Sequence, residues 1–122
     1  ISDSVNQDVN IELFKNSPIM QAIIAIILAP IIEEIVFRRS FKDFTNNKII
    51  FAVVTGLIFG GIHVITSITN IKDLIMLIHL IPYSSVGIAL GLAYKEHNNI
   101  IGTMTIHGIH NIIAIIEILF LI

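Results

Sequence analysis

"PIMQAIIAIILAPIIEEIVFRRSF", residues 18 to 41, decides how the rest of the chain is read. Its first fifteen residues carry no charge, then Glu33 and Glu34 stand side by side, and Arg38 and Arg39 follow one helical turn later. As an α-helix at ~1.5 Å per residue, a run of this length crosses the ~30 Å hydrocarbon core of a bilayer. The many β-branched residues would also suit a strand, but the run is far longer than strands are, and length arbitrates. In lipid the backbone has to satisfy its own hydrogen bonds, which also favours helix. Carboxylates in such surroundings cost several kcal/mol each unless paired or protonated, so Glu33 and Glu34 need a reason to be there.

Three more apolar runs follow, from Ile49 to about Thr66, from Leu74 to Tyr94 and from Ile100 to Ile122. The polar stretches "KDFTNNK" (42–48), "SITNIKD" (67–73) and "KEHNN" (95–99) divide them. The expected fold is therefore an all-α polytopic transmembrane bundle of about four helices, with residues 18–122 as its core and residues 1–17 as a polar N-terminal segment or linker. Pro18, after Ser17 as N-cap, suits the first turn of the first helix. The pairs Gly56/Gly60 and Gly87/Gly91 have the small-xxx-small spacing of closely packed membrane helices. Pro82 is expected to kink the third helix. The chain opens without Met and stops inside an apolar run, so the expectation is the core of a larger membrane protein.

Composition supports this class and excludes others. The 122 residues are 55% hydrophobic and 13% charged, against roughly 25% charged in soluble domains, and the mean hydropathy is +0.90. A net charge of −2 without a polybasic face excludes a nucleic-acid partner. The absence of cysteine excludes disulfides, thiol nucleophiles and cysteine-type zinc sites. The first apolar run follows an acidic, polar segment, so no basic n-region of a signal peptide precedes it. With Arg38, Arg39, Lys42, Lys48 and Lys95 on one side and Lys15 and Lys72 on the other, the loops after the first and third helices are expected to be cytoplasmic. The lean towards Ile, Asn and Lys suggests an AT-rich bacterial genome, hence an integral protein of a bacterial cell membrane.

Polar residues inside the helices are few and regularly spaced. Glu34/Arg38, Phe59/His63 and His107/Asn111 are each four apart and share a helix face. Counted from the nearest loops, Glu33, His63 and His107 lie ~18, ~27 and ~15 Å along their helices, compatible with one site at intermediate depth. Glu34 can pair with Arg38, whereas Glu33 has no partner on its own helix and must find one across the bundle, with His63 the best candidate. His110 reads as packing or support, His79 and His97 have no assigned role, and Glu117 has no explanation. Glu33, His63 and His107 are the ligand types of an open zinc site. However, HExxH is absent, the three would come from three helices, and Asn111 is a poor zinc ligand. Catalysis without a metal or other cofactor is favoured, with zinc on Glu33, His63 and His107 the weaker alternative.

"EEIVFR" (Glu33, Glu34, Arg38), "FGGIH" (Phe59, His63) and "HGIHN" (His107, Asn111) resemble the motifs EExxxR, FxxxH and HxxxN of the CPBP intramembrane proteases. That family includes Rce-type CAAX prenyl endopeptidases and bacterial Abi proteins. Each motif alone is weakly specific, but here all three stand in order on consecutive membrane helices. The resemblance implies an intramembrane endopeptidase in which Glu33, with His63, activates a water. His107 and Asn111 would donate hydrogen bonds to the oxyanion, and Glu34, Arg38 and Phe59 would support the site. The implied partners are the lipid bilayer and a peptide or membrane-protein substrate, cleaved in bacteriocin self-immunity, peptide maturation or CAAX-type processing. Two rivals use the same residues: a non-catalytic immunity or partner-binding protein with the Glu/His cluster as a polar clamp, and a proton- or cation-conducting bundle.

Overall fold

The computed structural model describes residues 5–65 and 71–121. The polar divider at 67–73 therefore falls largely outside the described residues. The elements are α1 (Val5–Asn16), α2 (Pro18–Ile23), a π-helical turn (Ile24–Leu28), α3 (Ala29–Phe37), a 3₁₀ turn (Arg39–Phe41), α4 (Lys48–Ile65), a 3₁₀ segment (Ile71–His79), α5 (Leu80–His97) and α6 (Ile100–Leu121). No strand occurs among the described residues. Four stretches are long and apolar enough to cross a membrane: Pro18–Phe41, Lys48–Ile65, Leu74–His97 and Ile100–Phe120. This is an all-α membrane helix bundle.

The bundle is packed inside out relative to a soluble protein. Only 11% to 39% of each span is buried within the protein, leaving most of its surface for lipid. Most exposed positions of the spans are large apolar residues, chiefly Ile and Leu, whereas the buried polar residues include Glu34, Arg38, Thr55, Ser84, Thr103 and His107. These polar side chains are kept from hydrocarbon by burial within the bundle.

Asparagine pairs make the connections at one end of the bundle. Asn47 caps α4, its Oδ1 accepting the Ile50 amide at 3.0 Å. Asn98 takes the left-handed conformation (φ 48°) that ends α5. Asn99 then caps α6, its Oδ1 accepting the Gly102 amide at 3.0 Å. Asparagine suits both positions, because its short side chain bonds nearby amides and tolerates positive φ.

The glycine pairs bring α4 and α5 into antiparallel contact. A Cβ on Gly87 would lie 2.9 Å from Gly56 Cα, and one on Gly91 would lie 2.9 Å from Ala52 Cα. Pro82, expected to kink the third helix, lies close to a change of helix geometry within the span Leu74–His97. It falls in the first turn of α5, after the change from 3₁₀ to α geometry at Leu80. Proline is better tolerated near the start of an α-helix than in its interior.

The first span is not one uninterrupted α-helix. The Ala29 amide bonds to the Ile24 carbonyl, five residues back, which makes the turn π-type. Pro30 follows and has no amide hydrogen. The Ala25 carbonyl is thereby left without a helical donor: Ala29 has turned to Ile24, and the next candidate is Pro30. The segment before Pro18 is also helical. It forms α1, which lies against α2 and α4.

Gly56→Ala places a Cβ 2.8 Å from the Ile88 Cα and closer still to its amide nitrogen. It is expected to destabilise the protein by ~1–3 kcal/mol. A Cβ at Gly61 meets nothing within 4 Å, so Gly61→Ala is expected to leave the melting temperature in detergent unchanged or higher. Equal melting of the two variants would refute the close α4–α5 contact.

Candidate active site

The charged residues meet at the centre of the bundle. Glu34 and Arg38, one helical turn apart, have fully buried side chains and pair at 3.4 Å between Oε2 and Nη1. Arg38 Nη2 also donates to the Gly87 carbonyl, tying the end of α3 to α5 where the glycine faces α4. The guanidinium carbon stands 5.2 Å from the centre of the Phe59 ring. Phe59 forms the apolar hub, with Phe37 edge-on at 5.4 Å, His63 at 4.3 Å and His107 edge-on at 5.8 Å.

Both histidines are held by one nitrogen and present the other to Glu33. His107 Nδ1 lies 2.8 Å from Glu34 Oε2, the oxygen that also faces Arg38. A carboxylate paired with arginine accepts, so His107 Nδ1 carries the proton. His63 Nδ1 lies 2.7 Å from the Phe59 carbonyl, which can only accept, so that nitrogen is protonated too. The two Nε2 atoms face Glu33, His63 at 3.5 Å from Oε1 and His107 at 3.3 Å from Oε2. The result is a chain of ionisable groups from Arg38 through Glu34, His107 and Glu33 to His63, spanning α3, α4 and α6.

Exposure divides the chain of groups into a buried and an open half. The side chains of Glu34 and His107 are 0% and 3% exposed, whereas those of Glu33 and His63 are 26% and 17% exposed. Glu33 and His63 border a cavity of about 240 Å³, to whose lining His107, His110 and Asn111 also contribute. Asn111 Nδ2 donates to the Ala25 carbonyl at 2.7 Å, so α6 supplies the donor that the π turn and Pro30 take away. Gly108, one turn earlier on α6, has no room for a side chain, since a Cβ there would lie 2.9 Å from the Ile26 carbonyl.

All four residues expected to share a site thus reach one cavity, and Glu33 faces His107 as well as the expected His63. Sequence reasoning missed the second partner of Glu34, His107, and the contribution of α1. Asn6, Gln7, Asn10 and Phe14 of α1 line the cavity, while Val5, Val9 and Leu13 point outward. Asn6 Nδ2 donates to the Tyr83 hydroxyl at 3.0 Å, Tyr83 stacks on His63 with ring centres 5.4 Å apart, and Gln21 Nε2 donates to Asn10 Oδ1 at 3.3 Å. The i, i+4 spacing of Asn6 and Asn10, and of Val5 and Val9, was the available signal of a polar inner face.

The zinc alternative has its ligand types together, but not as a preformed site. The nitrogens that would bind the metal are the two Nε2 atoms that face Glu33, and each Nδ1 is held by an oxygen, as in histidines that ligate metals. Among the described residues no three His, Asp or Glu side chains are disposed to hold a metal ion.

Glu34→Gln leaves Arg38 buried beside a neutral amide, a loss typically worth ~3–5 kcal/mol for a broken buried pair. It is expected to lower the melting temperature well below that of Glu33→Gln, whose side chain borders the cavity. Thermal unfolding of the two variants checks this, and a less stable Glu33→Gln would reverse the assignment.

A family model described as type II CAAX prenyl endopeptidase Rce1-like matches residues 15–113. No curated protein and no solved structure matches the chain. The matched segment covers most of the 122 residues and takes in Glu33, His63, His107 and Asn111. The chain is an integral membrane protein that belongs to the Rce1-like family of type II CAAX prenyl endopeptidases.

Proposed function

We propose that the chain is an intramembrane endopeptidase in which Glu33 is the general base. The observation that carries this reading is the Glu33 carboxylate on the cavity wall, with an imidazole Nε2 against each of its oxygens. A water held by Glu33 gives up a proton to the carboxylate as its oxygen bonds to the peptide carbonyl carbon. The tetrahedral intermediate then expels the amine, which takes that proton, leaving a carboxylate and a free amine. The adjacent imidazoles keep the transferred proton within reach of Glu33 between the two steps.

The remaining residues divide the supporting work. His63, the more open histidine, is suited to donating to the oxyanion when protonated at Nε2, a role typically worth ~3–4 kcal/mol. His107 sits behind Glu33 and is fixed by Glu34, which Arg38 holds in turn. One N–H of the Asn111 amide is committed to Ala25; its second N–H is the donor this residue has for substrate. The substrate is a peptide segment presented at the bilayer, and the carboxamides of α1 supply hydrogen bonds for its backbone. Peptide maturation, bacteriocin self-immunity and CAAX-type processing are the settings in which such cleavage operates, and the composition supports a bacterial cell membrane.

The decisive experiment is peptide cleavage by the full chain in liposomes. Glu33→Gln keeps shape and hydrogen bonding but deletes the base, so the rate is expected to fall ~10²–10⁴-fold with little change in melting temperature. Cleavage at the wild-type rate would sink the glutamate mechanism and favour the polar-clamp reading. Activity is also expected to survive 1,10-phenanthroline, and loss that added zinc restores would overturn the metal-free route.

A further inference from the structure

A second, separate pocket lies at the end of the bundle where the α3–α4 and α5–α6 connections meet. Arg39, Lys42, Asp43, Tyr94, Lys95 and Asn98 are among its lining residues, and its volume is about 470 Å³. Three cations and one carboxylate give it a net charge of +2. Lys95 is held in place: its ammonium donates to the Lys42 carbonyl at 2.8 Å and stands 5.0 Å from the centre of the Phe51 ring. Phe51 in turn packs on the buried Tyr94, ring centres 5.8 Å apart. Lys48, by contrast, is neutralised by an ion pair with Glu96 and lines no part of this pocket. Arg39 and Lys42 are exposed on the rim.

We propose that this pocket binds the headgroup of an anionic glycerophospholipid. Arg39, Lys42 and the fixed Lys95 suit a phosphodiester, and cations in a cleft between membrane helices are a recurrent way to hold one. Asp43 and Asn98 are acceptors matched to a headgroup that carries hydroxyls, as phosphatidylglycerol does. The pocket also lies at the ends of the apolar spans, with Ile100 in its wall and the neighbouring Ile101 largely exposed. An acyl chain would therefore continue from the headgroup along α6. A soluble phosphate would use the same cations without that apolar path.

The test measures the association of spin-labelled phosphatidylglycerol, relative to phosphatidylcholine, with the full chain in phosphatidylcholine bilayers. Wild type is expected to prefer phosphatidylglycerol. Arg39→Gln and Lys42→Gln are each expected to weaken the preference about five-fold, and Lys15→Gln, outside the pocket, to leave it intact. Both rim side chains are exposed, so unchanged melting temperatures serve as the folding control. Equal affinity of wild type for the two lipids, or an undiminished preference in the Arg39→Gln/Lys42→Gln double variant, overturns the proposal. A soluble arm adds glycerophosphoglycerol: competition only at concentrations far above those of the lipid supports a lipid site. Competition at matched concentration assigns the pocket to free phosphodiesters and overturns the lipid reading.

Discussion

A fully buried guanidinium sets the terms for this bundle. Arg38 cannot reach water, and an unpaired charge in hydrocarbon is not tolerated. Its partners come from different places: Glu34 on its own helix, the Gly87 carbonyl on α5 and the face of Phe59 on α4. Reaching Gly87 depends on the close α4–α5 approach that the glycine pairs permit. Glu34 then uses the oxygen that faces Arg38 to hold His107 as well, while its other oxygen makes no hydrogen bond among the described residues. Position passes outward in this way from a charge that cannot move to a carboxylate that borders the cavity. Under the proposed mechanism this would be the support of a catalytic group, a buried acid orienting a histidine and the histidine orienting Glu33.

The second constraint is a backbone one. A π turn and a proline together strip the Ala25 carbonyl of its helical donor, and a buried carbonyl without a partner costs free energy comparable to a lost hydrogen bond. Asn111 meets that need from α6, and Gly108 lets the two helices come close enough for it to do so. The third motif is therefore both a wall of the cavity and a fastening between the first and last spans. Its histidine and its asparagine serve different neighbours, although they lie on one face of one helix.

Much of this was legible in the sequence, for identifiable reasons. Four spans followed from run length and apolarity, and the Glu34/Arg38 pair from i, i+4 spacing, because both are properties of a single helix. The meeting of Glu33, His63 and His107 followed less directly, from the high cost of leaving them in lipid. What periodicity could not reveal was which neighbour each group would choose across the bundle. His107 could have bonded to Glu33 alone, and only the packing of α6 on α3 brings its other nitrogen to Glu34. Pro30 inside an apolar helix announces a freed carbonyl, but not that Asn111 would be the group to bond it. The polar first segment has no apolar run, and its helix is defined by what it covers.

The π turn between α2 and α3 has a consequence for how such a chain can change over generations. A π turn holds one residue more than the α-helix it interrupts, which swings everything before it by roughly 100° relative to everything after. Gln21 and the whole of α1 lie over the cavity only in that phase, while Glu33 stays fixed by the histidines beyond it. Loss of a single codon within Ile24–Leu28 would yield a more regular helix, yet it would turn α1 and its carboxamides away from the cavity. In this chain the irregular helix keeps α1 over the cavity, and a one-residue deletion there would bare the cavity without touching a charged residue.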